Sequence, residues 1–217
     1  MHARKTIIPF SLTALVFISA VSHAATSQAS LKLDGEILPA SCDMAIENGG
    51  TIRLGKPSPV AAPSEQGYFA LPERTIGINI QCPGSTSFGI RTTDITSNAG
   101  QIRLDGAEIN TVFSLGETAK GEAIGGYSAI IDKSRSLIDG KPLEKIIVSQ
   151  DQGNSWQSTQ GHLTSQGKSV YSWGEQSRPL NAKTVKLGLT ISPFLLKNNY
   201  SDAVKIDGIT SFELVYL

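Results

Sequence analysis

Histidine is nearly missing from this chain, with three in 217 residues. Two of them, His2 and His23, fall in the first 24 residues, a stretch that reads as a cleaved signal, so only His162 remains. A three-histidine metal site is thereby excluded, and a Cys/His zinc site would have to consume both cysteines of the chain. No Gly-x-Ser-x-Gly surrounds any serine, so the strained nucleophile turn of the α/β-hydrolases has no sequence support. His162 follows Gly161 in Gln160-Gly-His-Leu163, the setting of an exposed turn histidine rather than a base. Carboxylate pairs such as Asp132 with Asp139, or Glu144 near Asp151, are unavoidable among 19 acids and carry no acid–base signal. Asp151-Gln-Gly-Asn154 is a turn without calcium-loop spacing. The expectation is a protein that is not an enzyme, with no catalytic residue, metal or cofactor.

Charge of one sign is also lacking. Removing residues 1–24 takes away Arg4 and Lys5 and no acid, which turns a balance of 19 against 19 into a net charge of −2. Nothing electrostatic argues for nucleic acid, and no basic run suggests a membrane surface. After residue 24 no stretch approaches ~18 uninterrupted apolar residues, so no membrane insertion is expected. Cysteine is sparse too: Cys42 and Cys82, with no Cys-x-x-Cys and hence no redox signature.

The first 24 residues set the compartment. His2, Arg4 and Lys5 make a basic start, Ile7 to Val21 is a short apolar run, and Ser22-His-Ala24 offers small residues at −3 and −1. The pattern predicts a signal peptide over 1–24, cleaved after Ala24, and secretion through the inner membrane. The competing reading, a transmembrane anchor, needs a longer run. In an exported protein two cysteines read as a disulfide, Cys42–Cys82, with two free thiols as the alternative. Closing a loop of that length stabilises a fold by about 4 kcal/mol in the chain-entropy model.

The body reads as all-β, one domain over 25–217 with an elaborated middle at about 100–180. Glycine and proline are scattered, helix-period runs are scarce, and short alternating segments recur. Leu31, Leu33 and Ile37 share one face of an expected first strand, and Ile52 and Leu54 one face of a short strand between Gly50 and Gly55. Arg74–Cys82 is the clearest strand, with Ile76, Ile78, Ile80 and Cys82 all pointing one way, toward the core where Cys82 can meet Cys42. Between them, Lys56–Pro63 is loop or extended edge because three prolines deny it a ladder. Further strands are expected at Ser87–Thr92, Asn110–Leu115, Tyr127–Ile131, Lys145–Ser149, Lys168–Ser172 and Thr184–Leu196, where Pro193 breaks or bulges the run. Asp105-Gly106 and Asp139-Gly140 mark tight turns. Many short strands with regular turns mean a sandwich or barrel. The last residues, Ile209–Leu217, form a strand with Phe212, Leu214 and Tyr216 on one face. A terminal apolar strand needs a partner, from this chain or another.

The order Leu31-x-Leu-x-Gly-x-Ile37, Pro39-x-x-Cys42, an alternating strand ending in Cys82, and a terminal strand with penultimate Tyr216 resembles the pilin subunits of chaperone–usher fimbriae. It is still more similar to a group of pilin-related periplasmic proteins of Gram-negative bacteria with no assigned function. The resemblance spans nearly the whole mature chain, most clearly 31–82 and 184–217. It implies an immunoglobulin-like sandwich lacking its last strand, with a hydrophobic groove beside the C-terminal strand. A periplasmic pilus chaperone fills such a groove during export, and the N-terminal extension of another fimbrial subunit fills it in a fibre assembled at an outer-membrane usher. On this reading Phe212, Leu214 and Tyr216 form the edge presented to chaperone or donor strand. The opposing reading makes them core residues of a complete sandwich.

Two positions depart from the pilin pattern. Val204 stands fourteen residues from the end where pilins usually carry glycine, the nearest being Gly208. Ala25–Ser30 holds no large apolar side chain to donate, and Leu31 and Leu33 are expected to be committed to the first strand. The chain is therefore expected to accept a strand rather than donate one, as a terminal or accessory subunit with a role in cell adhesion, in the periplasm or a cell-surface fimbria. The alternative is a self-complete, stand-alone periplasmic binding protein that does not polymerise. Its ligand surface, for instance for carbohydrate, would be Trp156, Tyr171 and Trp173 in the Ser/Gln/Gly-rich stretch 149–177, unless both tryptophans belong to the core.

Overall fold

The computed structural model describes residues 31–34, 41–56, 67–96, 102, 110–175, 178–197 and 203–217. The chain divides into two units, Met1–Leu38 and Pro39–Leu217. Of the first, residues 31–34 carry no regular structure, Lys32 Nζ pairs with Asp34 Oδ2 at 2.9 Å, and Leu31 and Leu33 are exposed. The expected first strand at 31–37 is thus not formed in its described part, and Gly35–Ile37 lie outside the described residues. So do the signal peptide, most of the proline-rich 56–63 stretch and the Asp105-Gly106 turn.

The second unit is all-β: two antiparallel sheets closed face to face and stapled by one disulfide, an immunoglobulin-like sandwich. Its strands are β1 (Asp43–Ile46), β2 (Tyr68–Ala70), β3 (Arg74–Thr86), β4 (Phe88–Asp94), β5 (Val112–Ser114), β6 (Gly125–Ile138), β7 (Lys141–Pro142), β8 (Ile146–Ser149), β9 (Gln157–Thr159), β10 (Gln166–Glu175), β11 (Arg178–Pro179), β12 (Ala182–Leu196) and β13 (Thr210–Tyr216). The first sheet runs β1-β3-β12-β6-β5, with β2 beside β12 and β7 beside β6; the second runs β13-β4-β10-β8-β9, with β11 beside β10.

Period-2 alternation explains the central strands. Ile76, Ile78, Ile80 and Cys82 of β3 and Val185, Leu187, Leu189 and Ile191 of β12 all enter the main core, pairing Ile80 with Val185, Ile78 with Leu187 and Ile76 with Leu189. Phe88 and Ile90 of β4 and Tyr171 and Trp173 of β10 meet them from the second sheet. Pro193 does not break β12. The partner on one side changes there, from β3 up to Ile191 to β2 from Phe194 onward, so the missing N–H falls where no ladder bond is required. Asp139 and Gly140, with φ of 47° and 77°, make the tight β6–β7 turn that the sequence signals.

Cys42 and Cys82 are bonded, closing a loop 40 residues apart in sequence. Within that loop Glu47–Gly50 forms a 3-10 turn. Its Glu47 carboxylate accepts the Gly77 N–H at 2.8 Å, and a Cβ at position 77 would lie 2.5 Å from the carboxyl carbon. Only glycine gives that carboxylate a seat on β3.

Candidate functional site: a groove between two sheet edges

β1 and β13 are the edge strands at one side of the sandwich, each with a single neighbour, β3 and β4 respectively. Between them runs a cleft of about 1290 Å³. Its floor is the inner face of the first sheet: Ile76, Phe113, Ala129, Leu189 and Ile191. One wall is Ile46 with Thr51–Lys56, and the other is Ala203–Ile209, continued by Thr210 and Phe212 of β13.

Both walls alternate. Ile52 and Leu54 turn inward while Thr51, Arg53 and Gly55 are exposed; Val204 and Ile206 turn inward while Ala203, Lys205 and Asp207 are exposed. Neither stretch belongs to a strand. The strand expected at 50–55 is therefore extended and correctly faced, but it has no ladder. Along the groove the order is clear. Met44, Ile46, Ile52, Phe212 and Leu214 pack on the main core, whereas Leu54, Val204 and Ile206 pack on a second cluster of Phe69, Leu115, Ile124 and Leu195.

The β13 ladder fixes which backbone groups face the groove. Ile95 N–H donates to Ile209 O at 3.0 Å and Leu217 N–H donates to Ser87 O at 3.1 Å. In an antiparallel pair such residues alternate with ones whose N–H and C=O point away. Given the register Phe212↔Thr92 and Leu214↔Ile90, the outward-pointing groups belong to Thr210, Phe212, Leu214 and Tyr216. Side chain and backbone thus diverge: Phe212 and Leu214 send half-buried side chains to the core and their amide groups to the edge. No second strand pairs with β13 among the described residues.

One end of the groove is clasped. Tyr216 Oη accepts the Cys42 N–H at 2.7 Å, tying the two edges together beside the disulfide. The Tyr216 ring itself is 48% exposed, so of the three expected edge residues it is a clasp, while Phe212 and Leu214 line the interior. At the other end Gly208 packs directly on the Ser114 carbonyl, and Asp207 N–H donates to Leu115 O at 3.0 Å. A side chain at 208 would collide there, which gives Gly208 a packing reason to be glycine, while Val204 uses its side chain inside the groove. Tyr127, on the groove lining, donates to or accepts from the Thr210 hydroxyl. Burial pushes its phenol up to about 12; Thr210 pulls the other way and the Asp94 charge adds to the rise.

The aromatic surface expected at Trp156, Tyr171 and Trp173 does not exist as such. Tyr171 and Trp173 are 2% and 3% exposed, Tyr171 donating to His162 O at 2.7 Å and Trp173 meeting Phe88 edge-on with ring centres 4.9 Å apart. They sit two apart on the inner face of β10, a strand with neighbours on both sides, so period 2 sends both to the core. Trp156 alone is half-exposed. It lines a shallow depression of about 570 Å³ with Asn154, Arg178 and Asn181, and its indole N–H donates to Gly153 O at 3.0 Å.

The candidate acid–base groups have structural occupations. Asp139 accepts N–H donors of Lys183 and Thr184 at 2.9 and 2.7 Å; the Thr184 amide is the chief cause of its lowered pKa. Asp151 is held down to about 2 by the hydroxyls of Ser155 and Ser149 and the Ser155 amide. Asp132 binds Ser134. His162 is exposed, as expected, but it forms an isolated antiparallel bridge with Ile130 rather than a turn. Among the described residues no three His, Cys, Asp or Glu side chains converge on a metal position, and no helix is long and apolar enough to cross a membrane.

Comparison with curated proteins found no match. Over residues 31–124, less than half of the chain, the sequence is similar to the family described as Protein of unknown function (DUF1120).

Proposed function

We propose that this is a non-enzymatic, pilin-like exported protein whose groove captures an extended strand from another chain. The observation that carries the reading is the pairing of two unlike needs on one edge. Phe212 and Leu214 are only half covered, and their backbone N–H and C=O groups point away from β4 to the open edge of the sheet. A strand laid beside β13 satisfies both: its backbone completes a ladder, and its alternate side chains cover the apolar floor. Covering each half-buried large apolar side chain contributes roughly 1 kcal/mol.

The strand belongs to a periplasmic pilus chaperone during export, and to another fimbrial subunit at the cell surface, with the outer-membrane usher as the assembly site. The role is that of an accessory or terminal subunit in cell adhesion. Donation is less restricted than the sequence implies, because Leu31 and Leu33 carry no strand in their described stretch and are exposed. They could then enter such a groove on a second copy.

The test is expression of residues 25–217 with and without a pilus chaperone. A one-to-one complex that rescues an otherwise degraded protein supports strand capture. A soluble, protease-resistant monomer made without the chaperone overturns it and favours a self-complete binding protein.

A further inference from the structure

The groove is not electrically uniform. At its unclasped half the exposed, outward positions of the walls are Arg53 and Lys56 on one side and Lys205 and Asp207 on the other. Lys205 Nζ pairs with Asp207 Oδ2 at 2.9 Å. Arg53 and Lys56 have no ion-pair partner among the described residues. Three cations thus face one acid, and that acid is already engaged. Toward the clasp the balance reverses. Asp43, Glu47 and Glu213 are the exposed charges there; Glu47 is bound to Gly77 N–H and Glu213 to Arg91.

The walls run in opposite chain directions, one from Cys42 outward and the other inward to Tyr216, so a strand between them is parallel to one and antiparallel to the other. Strands lie about 4.8 Å from each neighbour, and outward side chains on adjacent strands are in reach of one another. Like charges placed side by side repel, and opposite charges fix register and speed encounter.

We infer that the strand taken up by this groove alternates apolar side chains with acidic ones, Asp or Glu projecting to solvent between Arg53 and Lys56 on one wall and Lys205 on the other. This rests on the strand-capture reading and gives the captured strand a chemistry and a register. The acidic positions belong at the unclasped half, where the wall side chains Leu54, Val204 and Ile206 bound the apolar channel.

The experiment uses two labelled synthetic peptides with identical alternating Val and Ile and with either Glu or Lys at every intervening position. Binding to residues 25–217 is measured by fluorescence anisotropy at low salt and at about 0.5 M salt, where exposed charges are screened within a few ångströms. The Glu peptide is expected to bind about tenfold more tightly at low salt, with the preference collapsing at high salt. In the double variant Arg53→Glu, Lys56→Glu, checked for retained near-UV circular dichroism, the preference should disappear or invert. Equal binding of both peptides, or tighter binding of the Lys peptide, overturns the acidic-strand inference and leaves strand capture standing. Binding of neither peptide at any salt overturns both.

Discussion

The β8–β9 loop and the walls of the groove are both short irregular chain, and they meet their hydrogen-bonding needs in opposite ways. In the loop, side chains supply what a ladder would. The Asp151 carboxylate accepts from Ser149 Oγ, Ser155 N–H and Ser155 Oγ at 2.7, 2.9 and 2.6 Å, Ser149 Oγ accepts the Gly153 N–H, and the Trp156 indole closes on Gly153 O. The walls are rich in Ile, Leu, Val and Lys, which offer no such local substitutes. Their alternation turns apolar groups to the cleft and leaves extended backbone along it. A loop that is meant to be an end closes its own polar groups. Beside the walls, β13 turns the backbone groups of Thr210, Phe212, Leu214 and Tyr216 away from β4, where no second strand pairs with it among the described residues.

That contrast can be broken at several points, beginning with the largest expected effect. Cys42→Ser or Cys82→Ser should cost about 4 kcal/mol by restoring freedom to the unfolded chain, and periplasmic yield and protease resistance should fall sharply. Unchanged resistance would mean that the bond does not hold the groove wall. Phe212→Asp should abolish capture of a chaperone strand while leaving the disulfide and the β6–β7 turn intact. If circular dichroism shows global unfolding in a protein that never bound a chaperone, Phe212 is a core residue and the groove reading is lost.

Tyr216→Phe removes only the clasp to Cys42, and a loss of about 1 kcal/mol in a denaturant titration is expected. The smaller effects are spectroscopic. Tyr127 has a raised pKa in the folded state, so its stabilising contribution is present below the ordinary phenol value of about 10 and is lost as pH rises through about 12. In an absorbance titration Tyr127 should ionise late, and Tyr127→Phe should remove that late component. Asp151 lies on the other side of neutrality. Its folded pKa is depressed, so its contribution is present above about pH 4 and is lost as pH falls toward 2. The Ser155 amide resonance should titrate in that window and cease to do so in Asp151→Asn, with the groove unaffected.

Much of the sandwich was legible because a strand buried on its inner face leaves a period-2 trace. β3 and β12 carry that trace in Ile, Val and Leu and β13 in Phe212, Leu214 and Tyr216, and the structure extends the first two beyond these residues, through Thr86 in one case and from Ala182 in the other. Alternation reports which way side chains face, and pairing is a separate matter. Ile52 and Leu54 face inward as expected without belonging to a strand, and no strand pairs with them among the described residues. β1 leaves little trace in the sequence because Asp43-Met-Ala-Ile46 alternates only weakly, although its register with β3 is regular. Between the two readings of Tyr171 and Trp173, surface or core, the structure decides for core. Their polar sequence neighbours suggested a surface, but burial follows position in the sheet, and Ser172 between them is itself buried, donating to Phe88 O at 2.8 Å. Of the site, sequence pattern identified Phe212 and Leu214; the clasp at Tyr216 and the two walls needed the fold, because they join positions 174 apart.

The β13–β4 ladder joins residues such as Arg91 and Glu213, 122 positions apart in sequence. High contact order makes such pairing slow, because a long loop must close before any contact rewards it. During that wait β4 exposes one edge to solvent while β10, some eighty residues later, is itself still arriving. Such an interval is when edge strands aggregate. A strand binder that arrived early would therefore act on the rate of folding as well as on the final state, by giving β13 a second neighbour as soon as the first is found.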